Sequence, residues 1–201
     1  HANEYPFYTS QSSHLTYLTY DLYQSDGTLI GTQNYTDTNI QATGGNVYFT
    51  RSRTVHQFTA SGDFIVTTAG YVDAIVVAGG GSGGTAGGAG GGGGGVIYTA
   101  SLYLTPGTYP VIVGAGAPSV ITSGPAGSPS SYAVGLKGGS SSFAGIVTEG
   151  GGGGGGIGGP GQNGGNGGGR SDGYGASTTF GTGSAGQGNS GFRRNGSEGG
   201  G

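Results

Sequence analysis

The side chains that could take part in acid, base or metal chemistry are few and far apart in this sequence. The three histidines stand at His1, His14 and His56, without the short spacing by which histidines share a metal ion. There is no cysteine, which excludes a thiolate metal site, a cysteine nucleophile and a disulfide. No carboxylate pair and no serine–histidine–aspartate set stands out. The sequence therefore predicts neither a metal site nor an enzyme.

Three aspartates near expected turns are the remaining candidates for a cation site. Asp21, Asp26 and Asp37 fall within or beside polar segments of the N-terminal region. Aspartate at a turn commonly accepts a hydrogen bond from its own backbone two residues on. We favour that structural role over the alternative, a calcium site.

One glycine-rich stretch resembles a nucleotide-binding loop. "VVAGGGSGG", residues 76–84, follows an apolar run, as the glycine loop of a dinucleotide-binding fold follows a strand. That loop must open a helix, yet residues 83–95 are almost entirely glycine and alanine. In a chain with 54 glycines, chance matches to such a motif are expected. We predict no cofactor.

The overall composition narrows the class of protein. The 201 residues include only six Lys and Arg, charged residues make up 7%, and the net charge is −3. A nucleic-acid-binding surface needs clustered basic residues, so we expect no nucleic-acid partner. No stretch of 18 apolar residues occurs, so we expect no membrane-spanning helix. The first residue is His1 rather than Met, which is typical of a fragment or of a processed mature protein, including one that has lost a secretion signal.

The glycines divide the chain into two parts. Only six of the 54 precede residue 79, and the rest follow it. We therefore predict an N-terminal β segment over residues 1–55, rich in hairpins, and a glycine-rich domain over residues 56–201. The first segment is expected to decorate an assembly or to link neighbouring subunits.

The N-terminal segment has the alternation of β-strands. Residues 17–22 alternate, and the Asp-Gly of "SDGT" between two such runs is a strong hairpin signal. "VYFTRSRTVHQF" predicts a further strand. Tyrosines in this region could form an aromatic face that binds glycans, although cross-strand packing is the favoured interpretation. The candidates are Tyr17, Tyr20, Tyr23 and Tyr35.

Strands also frame the glycine runs. Residues 56–78 predict two strands, the second ending in an apolar run that leads into glycine. "GVIYTASLYLTPGTYPVIVGAG" predicts a strand, a turn at Thr105–Thr108 and another strand, and "SSFAGIVTEGG" predicts one more strand leading into glycine. We expect no α-helix, so the predicted fold is all-β with polyglycine-II helices.

The glycine runs themselves are predicted to be ordered. A flexible linker is the alternative, but each run directly continues an apolar strand and is followed by more patterned sequence. Polyglycine-II geometry has three residues per turn and directs every N–H and C=O outward, so neighbouring helices can hydrogen-bond on all sides. The edges of such an array would pair with other copies, as exposed sheet edges do. The predicted lattice and assembly residues are Gly90, Gly91, Gly92, Gly93, Gly94, Gly95, Gly150, Gly151, Gly152, Gly153, Gly154, Gly155, Gly156, Gly199, Gly200 and Gly201.

Residues 56–201 resemble the glycine-rich domain of bacteriophage tail-fibre and adhesin proteins, which also occurs in bacterial surface proteins. The resemblance lies in the two units of strand followed by glycine run and in "LTPGTYPVIVGAG". It implies a polyglycine-II sandwich, an extracellular location and a non-enzymatic role in recognition or in a fibre. The chain departs from such adhesins in having few aromatics after Tyr132.

Two functions from different classes follow. The first is a structural subunit of an extracellular fibre or filament, whose partners are copies of itself and whose glycine helices mediate assembly. The second is a tail-fibre adhesin that recognises a bacterial surface or its glycans. The scarcity of aromatics in the second half favours the fibre. An ice-binding protein is a more distant third, because it would need a flat regular face.

Overall fold

The computed structural model describes residues 17–23, 29–36, 39–50, 53–85, 87–121, 132–171 and 179–192. Over these ranges the protein is all-β, with antiparallel strands, glycine-rich extended segments and no helix. The predicted fold class is confirmed. The chain forms two compact units, His1–Asn39 and Ile40–Gly201.

The first unit contains a β-hairpin. Strands β1 (Tyr17–Tyr23) and β2 (Leu29–Thr36) pair antiparallel, with Tyr17 opposite Thr36 and a register shift between Leu22 and Tyr23. The hairpin predicted from Asp-Gly is confirmed in its strands. The turn itself lies outside the described residues.

The second unit holds nine strands within the described ranges. In chain order the strands are β3 (Gln41–Thr43), β4 (Asn46–Phe49), β5 (Thr54–Gln57), β6 (Gly62–Thr68), β7 (Gly70–Val77), β8 (Val96–Leu104), β9 (Gly107–Ile112), β10 (Ser141–Phe143) and β11 (Ile146–Thr148). A five-stranded antiparallel sheet has the order β11-β10-β9-β6-β3, and two separate hairpins are β4-β5 and β7-β8.

The division between the units lies earlier than the compositional boundary at residues 55 and 56. Strand β3 pairs antiparallel with β6, which ties residues 41–43 into the sheet of the second unit. Hairpin β4-β5 then spans the compositional boundary itself. The change in composition therefore marks where glycine becomes abundant, whereas the break between compact units lies at Asn39/Ile40.

Two segments that we predicted as single strands are hairpins. In "VYFTRSRTVHQF", β4 and β5 pair antiparallel, and the N–H of Thr50 donates to the carbonyl of Arg53 at 2.9 Å. In "SSFAGIVT", β10 and β11 are joined at Ala144 and Gly145, with φ of 47° and 84°. Positive φ at both central residues is the requirement of a type I′ turn. The prediction of single strands was wrong because neither segment carries an obvious turn dipeptide.

The strands on either side of the Thr105–Gly107 turn belong to different sheets. Strand β8 pairs with β7, whereas β9 pairs with β6 and β10. The hydroxyl of Tyr109 fixes this corner by accepting from the N–H of Thr105 at 3.1 Å and donating to the Thr105 carbonyl at 3.0 Å. The predicted turn therefore joins two layers rather than the arms of one hairpin.

The hydrophobic core of the second unit lies between the five-stranded sheet and hairpin β7-β8. Phe64, Val66, Leu104 and Val111 form its buried centre. Phe64 makes edge-to-face contacts with His56 and Phe143, at ring centroid distances of 5.1 and 5.6 Å. This core anchors the strands from which the glycine runs emerge.

Candidate functional site

Five extended segments, here called runs 1 to 5, form a bundle in the second unit. Run 1 (residues 78–85) continues from β7, run 2 (residues 88–95) leads into β8, and run 4 (residues 149–156) continues from β11. Runs 3 and 5 comprise residues 133–139 and 166–170. Runs 1, 2 and 4 are therefore each joined to a strand that is anchored in the core, and that strand fixes the direction of the chain. Runs 3 and 5 lie between such segments.

Backbone hydrogen bonds between runs 1, 2 and 4 recur at every third residue. Runs 1 and 2 are antiparallel, and bonds from run 1 N–H groups to run 2 carbonyls measure 2.8–3.0 Å. The same spacing recurs from run 2 to run 4 at 2.7–2.8 Å. The first ladder joins Ala78, Gly81 and Gly84 to Gly95, Gly92 and Ala89, and the second joins Ala89, Gly92 and Gly95 to Gly155, Gly152 and Glu149. A three-residue repeat is the period of polyglycine II, in contrast to the two-residue repeat of a strand.

Run 4 lies at the centre of the bundle. Gly151 and Gly154 donate to run 1, and Gly152 and Gly155 donate to run 5. Run 4 carbonyls accept from runs 2 and 3, so it bonds to all four other runs. Every residue from 150 to 156 is buried. The run of seven glycines is therefore the interior of a lattice made by its own chain.

Close backbone approach requires glycine along run 4. A Cβ added at any position from 150 to 156 would lie less than 3.0 Å from a backbone atom of another segment. At Gly152 the atom met is the carbonyl oxygen of Gln162, and at Gly151 it is that of Gly92. Backbone cannot yield as a flexible side chain can, so even alanine would separate the runs.

Glycines with positive φ occupy different places, the turns between segments. Gly87 separates runs 1 and 2 with φ of 78°, and Gly186 lies in a turn with φ of 73°. A Cβ at either position would meet nothing within 4 Å. Glycine is needed at these two positions because the backbone adopts positive φ, whereas it is needed in run 4 because neighbouring backbones approach closely.

Polar side chains bond to the lattice backbone at its margins. Asn166 donates from Nδ2 to the carbonyl of Gly94 at 3.2 Å and accepts at Oδ1 from the N–H of Asn189 at 2.7 Å. Gln187 accepts at Oε1 from the N–H of Glu149 at 2.7 Å. The hydroxyl of Ser82 accepts from the N–H of Leu136 at 2.9 Å. Each of these bonds fixes one residue of a run against a neighbouring segment.

A protein-family model matches the part of the chain that holds this lattice. The model of the glycine-rich domain family matches residues 58–201. The chain belongs to the glycine-rich domain family. No curated protein and no solved structure gave a match. The family segment begins between β5 and β6, and thus contains the whole lattice and most of the five-stranded sheet.

The predicted lattice glycines of this family member fall into three groups. Residues 150–156 are the buried glycines of run 4, and residues 90–95 lie in run 2, where Gly92 and Gly95 are buried and Gly93 is exposed. Residues 199–201 lie outside the described part of the chain. Because run 4 is enclosed by its own chain, its hydrogen bonds hold the unit together. Assembly between copies through these glycines stays a prediction.

The four tyrosines singled out in the N-terminal segment lie on the two strands of the first hairpin. Tyr20 is opposite Gln33, and Tyr35 is opposite Leu18. Whether these rings form one face depends on side chains outside the described structure, so the predicted aromatic face stays a prediction.

Sequence reasoning missed an exposed apolar face on hairpin β7-β8. Three cross-strand pairs share this face: Tyr71 with Tyr103, Ile75 with Tyr98 and Val77 with Val96. Their exposed fractions range from 45% for Val96 to 68% for Ile75. On the opposite face, Val72 and Leu102 pack against the core. We predicted this segment only as a strand ending in an apolar run, and apolar residues on both of its faces do not show which face stays open.

Asp73 is the charged residue of this apolar face. Its carboxylate accepts the backbone N–H of Ser101 at 3.0 Å and pairs with the guanidinium of Arg53 at 2.7 Å. These two contacts, the backbone bond first, lower the pKa of Asp73 below its ordinary value of 3.8. The bond to Ser101 lies at the register shift between Val72 and Ala74, where Ser101 has φ of 54°. Asp73 therefore stabilises the bulge while both of its oxygens have partners.

The described ranges hold no group of three or more His, Asp or Glu side chains close enough to bind a metal ion. They also hold no helix long and apolar enough to span a membrane. The features that remain are the lattice and the exposed face of β7-β8.

Proposed function

We propose that this protein is a non-enzymatic structural subunit of an extracellular fibre or filament, in which copies of the chain assemble around rigid glycine lattices. The observation that carries the proposal is run 4, whose seven glycines are all buried and which bonds to four neighbouring runs. Ordering glycine backbone costs roughly 1–2 kcal/mol per residue. A chain in which so many residues form a backbone-bonded lattice is suited to a stiff structural element rather than to catalysis.

The sparse charge of the chain supports assembly. Only 7% of its residues are charged, and the net charge is −3. Mutual repulsion between copies is therefore weak, and a polymer can form without counter-ions. Partners in this proposal are copies of the same chain.

Electron microscopy of the native material tests the proposal. Unbranched filaments built from this chain alone are the expected result. The purified Gly152→Val and Gly92→Val variants should form no filaments, because a Cβ at either position meets the backbone of another segment. Gly93→Ala is the matched control, since its nearest contact would be the Asn166 side chain at 3.5 Å. A monodisperse monomer at every concentration would contradict a fibre subunit.

A tail-fibre adhesin is the second candidate, and exposed aromatics near the lattice favour it. Phe180 and Phe192 are 44% and 67% exposed on the segment that borders run 5. Receptor-binding surfaces are enriched in exposed aromatic anchors. Under this alternative, Phe180→Ala with Phe192→Ala would reduce binding to bacterial cells, whereas filament formation, if it occurs, would be unaffected. Equal cell binding by the double variant would remove the support that these rings give.

A further inference from the structure

We propose that the exposed face of hairpin β7-β8 is an interface that pairs with the same face of a second copy of this chain. The inference rests on the proposed function, because it names the surface through which two subunits first associate. It comprises the three cross-strand pairs described above, together with Asp73.

The extent of this face fits a protein partner. Its three tyrosines are 54–67% exposed and its three aliphatic side chains 45–68% exposed. With about 200 Å² for each whole tyrosine, the patch exposes on the order of 500 Å² of apolar surface, at the upper end for monomers. A stable interface buries about 800 Å² on each partner. The patch supplies more than half of that, and its polar margin can supply the rest.

The charge of the face points to an uncharged partner. Asp73 is the one charged residue in the sequences of β7 and β8, and it is already paired with Arg53 and with the N–H of Ser101. The sequences of β7 and β8 contain no Lys or Arg that could bind nucleic acid or an anionic surface. Interfaces between identical subunits are the most apolar and charge-depleted class, so a second copy matches best.

The shape of the face is complementary to itself. The two ends of the face differ in size, with the tyrosine pair Tyr71 and Tyr103 at one end and the valine pair Val77 and Val96 at the other. Asp73 and then Ile75 with Tyr98 lie between them. A two-fold axis between the sheets, perpendicular to the strands, sets the thick end of one copy against the thin end of the other. The two layers then keep a constant separation of about 10 Å, as packed sheets require. Two-fold pairing of one patch with itself is also the commonest symmetry of oligomers.

A charged substitution on the full chain tests the interface. Sedimentation equilibrium should show a reversible dimer, and Ile75→Glu or Tyr98→Glu should raise its Kd by about 100-fold or more, because each dimer then buries two carboxylates without partners. Tyr48→Glu on β4 is the matched control, since Tyr48 is 53% exposed on another hairpin. Far-UV circular dichroism verifies that each variant is folded. A wild-type monomer at 100 μM, or an Ile75→Glu dimer with unchanged Kd, would overturn the proposal.

Cross-linking tests the orientation of the two copies. Because the chain has no native cysteine, only the introduced cysteines can react. With a bismaleimide spanning about 10 Å, Tyr71→Cys should link to Val77→Cys in a mixture of the two variants. Tyr71→Cys alone should not link to itself, because the axis leaves its two copies about 20 Å apart at roughly 3.3 Å per residue. Efficient self-linking of Tyr71→Cys would overturn the antiparallel arrangement.

The outcomes separate this interface from the fibre. Filaments that persist unchanged in Ile75→Glu would preserve the proposed function and overturn the interface. A dimer that is lost in Ile75→Glu, from a wild-type chain that never forms filaments, would support the interface and contradict the fibre. A wild-type monomer that instead binds lipid vesicles through Tyr98 would also overturn self-pairing.

Discussion

Glycine residues of this chain are required for two separate reasons, and neighbouring positions in one run differ. In run 1, a Cβ at Gly81 would lie less than 3.0 Å from the backbone of Gly152, whereas one at Gly80 would have its nearest neighbour at 3.7 Å. Neither residue has positive φ. The difference between them is therefore one of packing alone.

This contrast predicts opposite effects for two adjacent substitutions. Gly81→Ala should lower the free energy of unfolding by about 1–3 kcal/mol, because runs 1 and 4 must move apart. Gly80→Ala should be neutral or should raise it by about 0.4–1 kcal/mol, because alanine restricts the unfolded chain. Urea unfolding of the two variants measures both. Similar losses in the two would contradict the close contact between runs 1 and 4.

At the scale of elements, the five-stranded sheet orients the strands from which the runs emerge. Phe64 on β6 is 5% exposed and is surrounded by the rings of His56, Phe58 and Phe143. Strand β10 leads by a short turn into β11, which continues as run 4. Loss of packing at Phe64 should therefore destabilise run 4 through β10 and β11.

We expect Phe64→Ala to destabilise the second unit by about 3–5 kcal/mol, the usual cost of emptying a buried aromatic site. Phe49→Ala is the control, because Phe49 on β4 is 80% exposed and its loss should change stability by at most about 0.5 kcal/mol. Thermal unfolding followed by circular dichroism gives both values. If the lattice is held by the sheet, amide exchange in run 4 should accelerate in Phe64→Ala and not in Phe49→Ala.

The elements differ in how far the sequence determines them. Runs of glycine that continue apolar strands predicted the ordered lattice, since little but polyglycine II satisfies such backbone. The β10-β11 hairpin was not predicted, because its turn places Ala144, a residue that rarely adopts positive φ, at φ of 47°. The open face of β7 was missed for another reason. Alternation shows which residues share a face but not whether another layer covers it.

At the scale of the whole molecule, stability depends more on backbone than on side chains. Eight hydrophobic side chains are buried among the described residues, and the interior of the lattice is peptide. Exposing apolar surface raises the heat capacity on unfolding, whereas exposing polar surface lowers it. The balance here is shifted toward the polar contribution.

We therefore expect an unusually small heat-capacity change on unfolding, below about 10 cal/mol/K per residue against the usual 12–15. The dependence of the calorimetric enthalpy on melting temperature, varied through pH, measures it. A flat stability curve should accompany it, so that the protein keeps its fold over a wide temperature range. A value at or above 12–15 would indicate a larger apolar interior than the one described.

The three-residue repeat of the runs has a consequence for mispairing during folding. A strand that slips by one residue turns its side chains to the wrong face, so the error is heavily penalised. A glycine run that slips by one residue rotates its N–H donors by one third of a turn. Because glycine has no side chain, each neighbouring run still meets the same backbone groups. Within the glycine backbone alone, slipped forms of run 2 or run 4 would therefore differ little in energy, and the paired strands that adjoin these runs oppose the slip. The side-chain bonds of Asn166 and Gln187 distinguish one alignment from its neighbours. The adjoining strands and a few amides thus together select a single native state from many that glycine alone would leave equivalent.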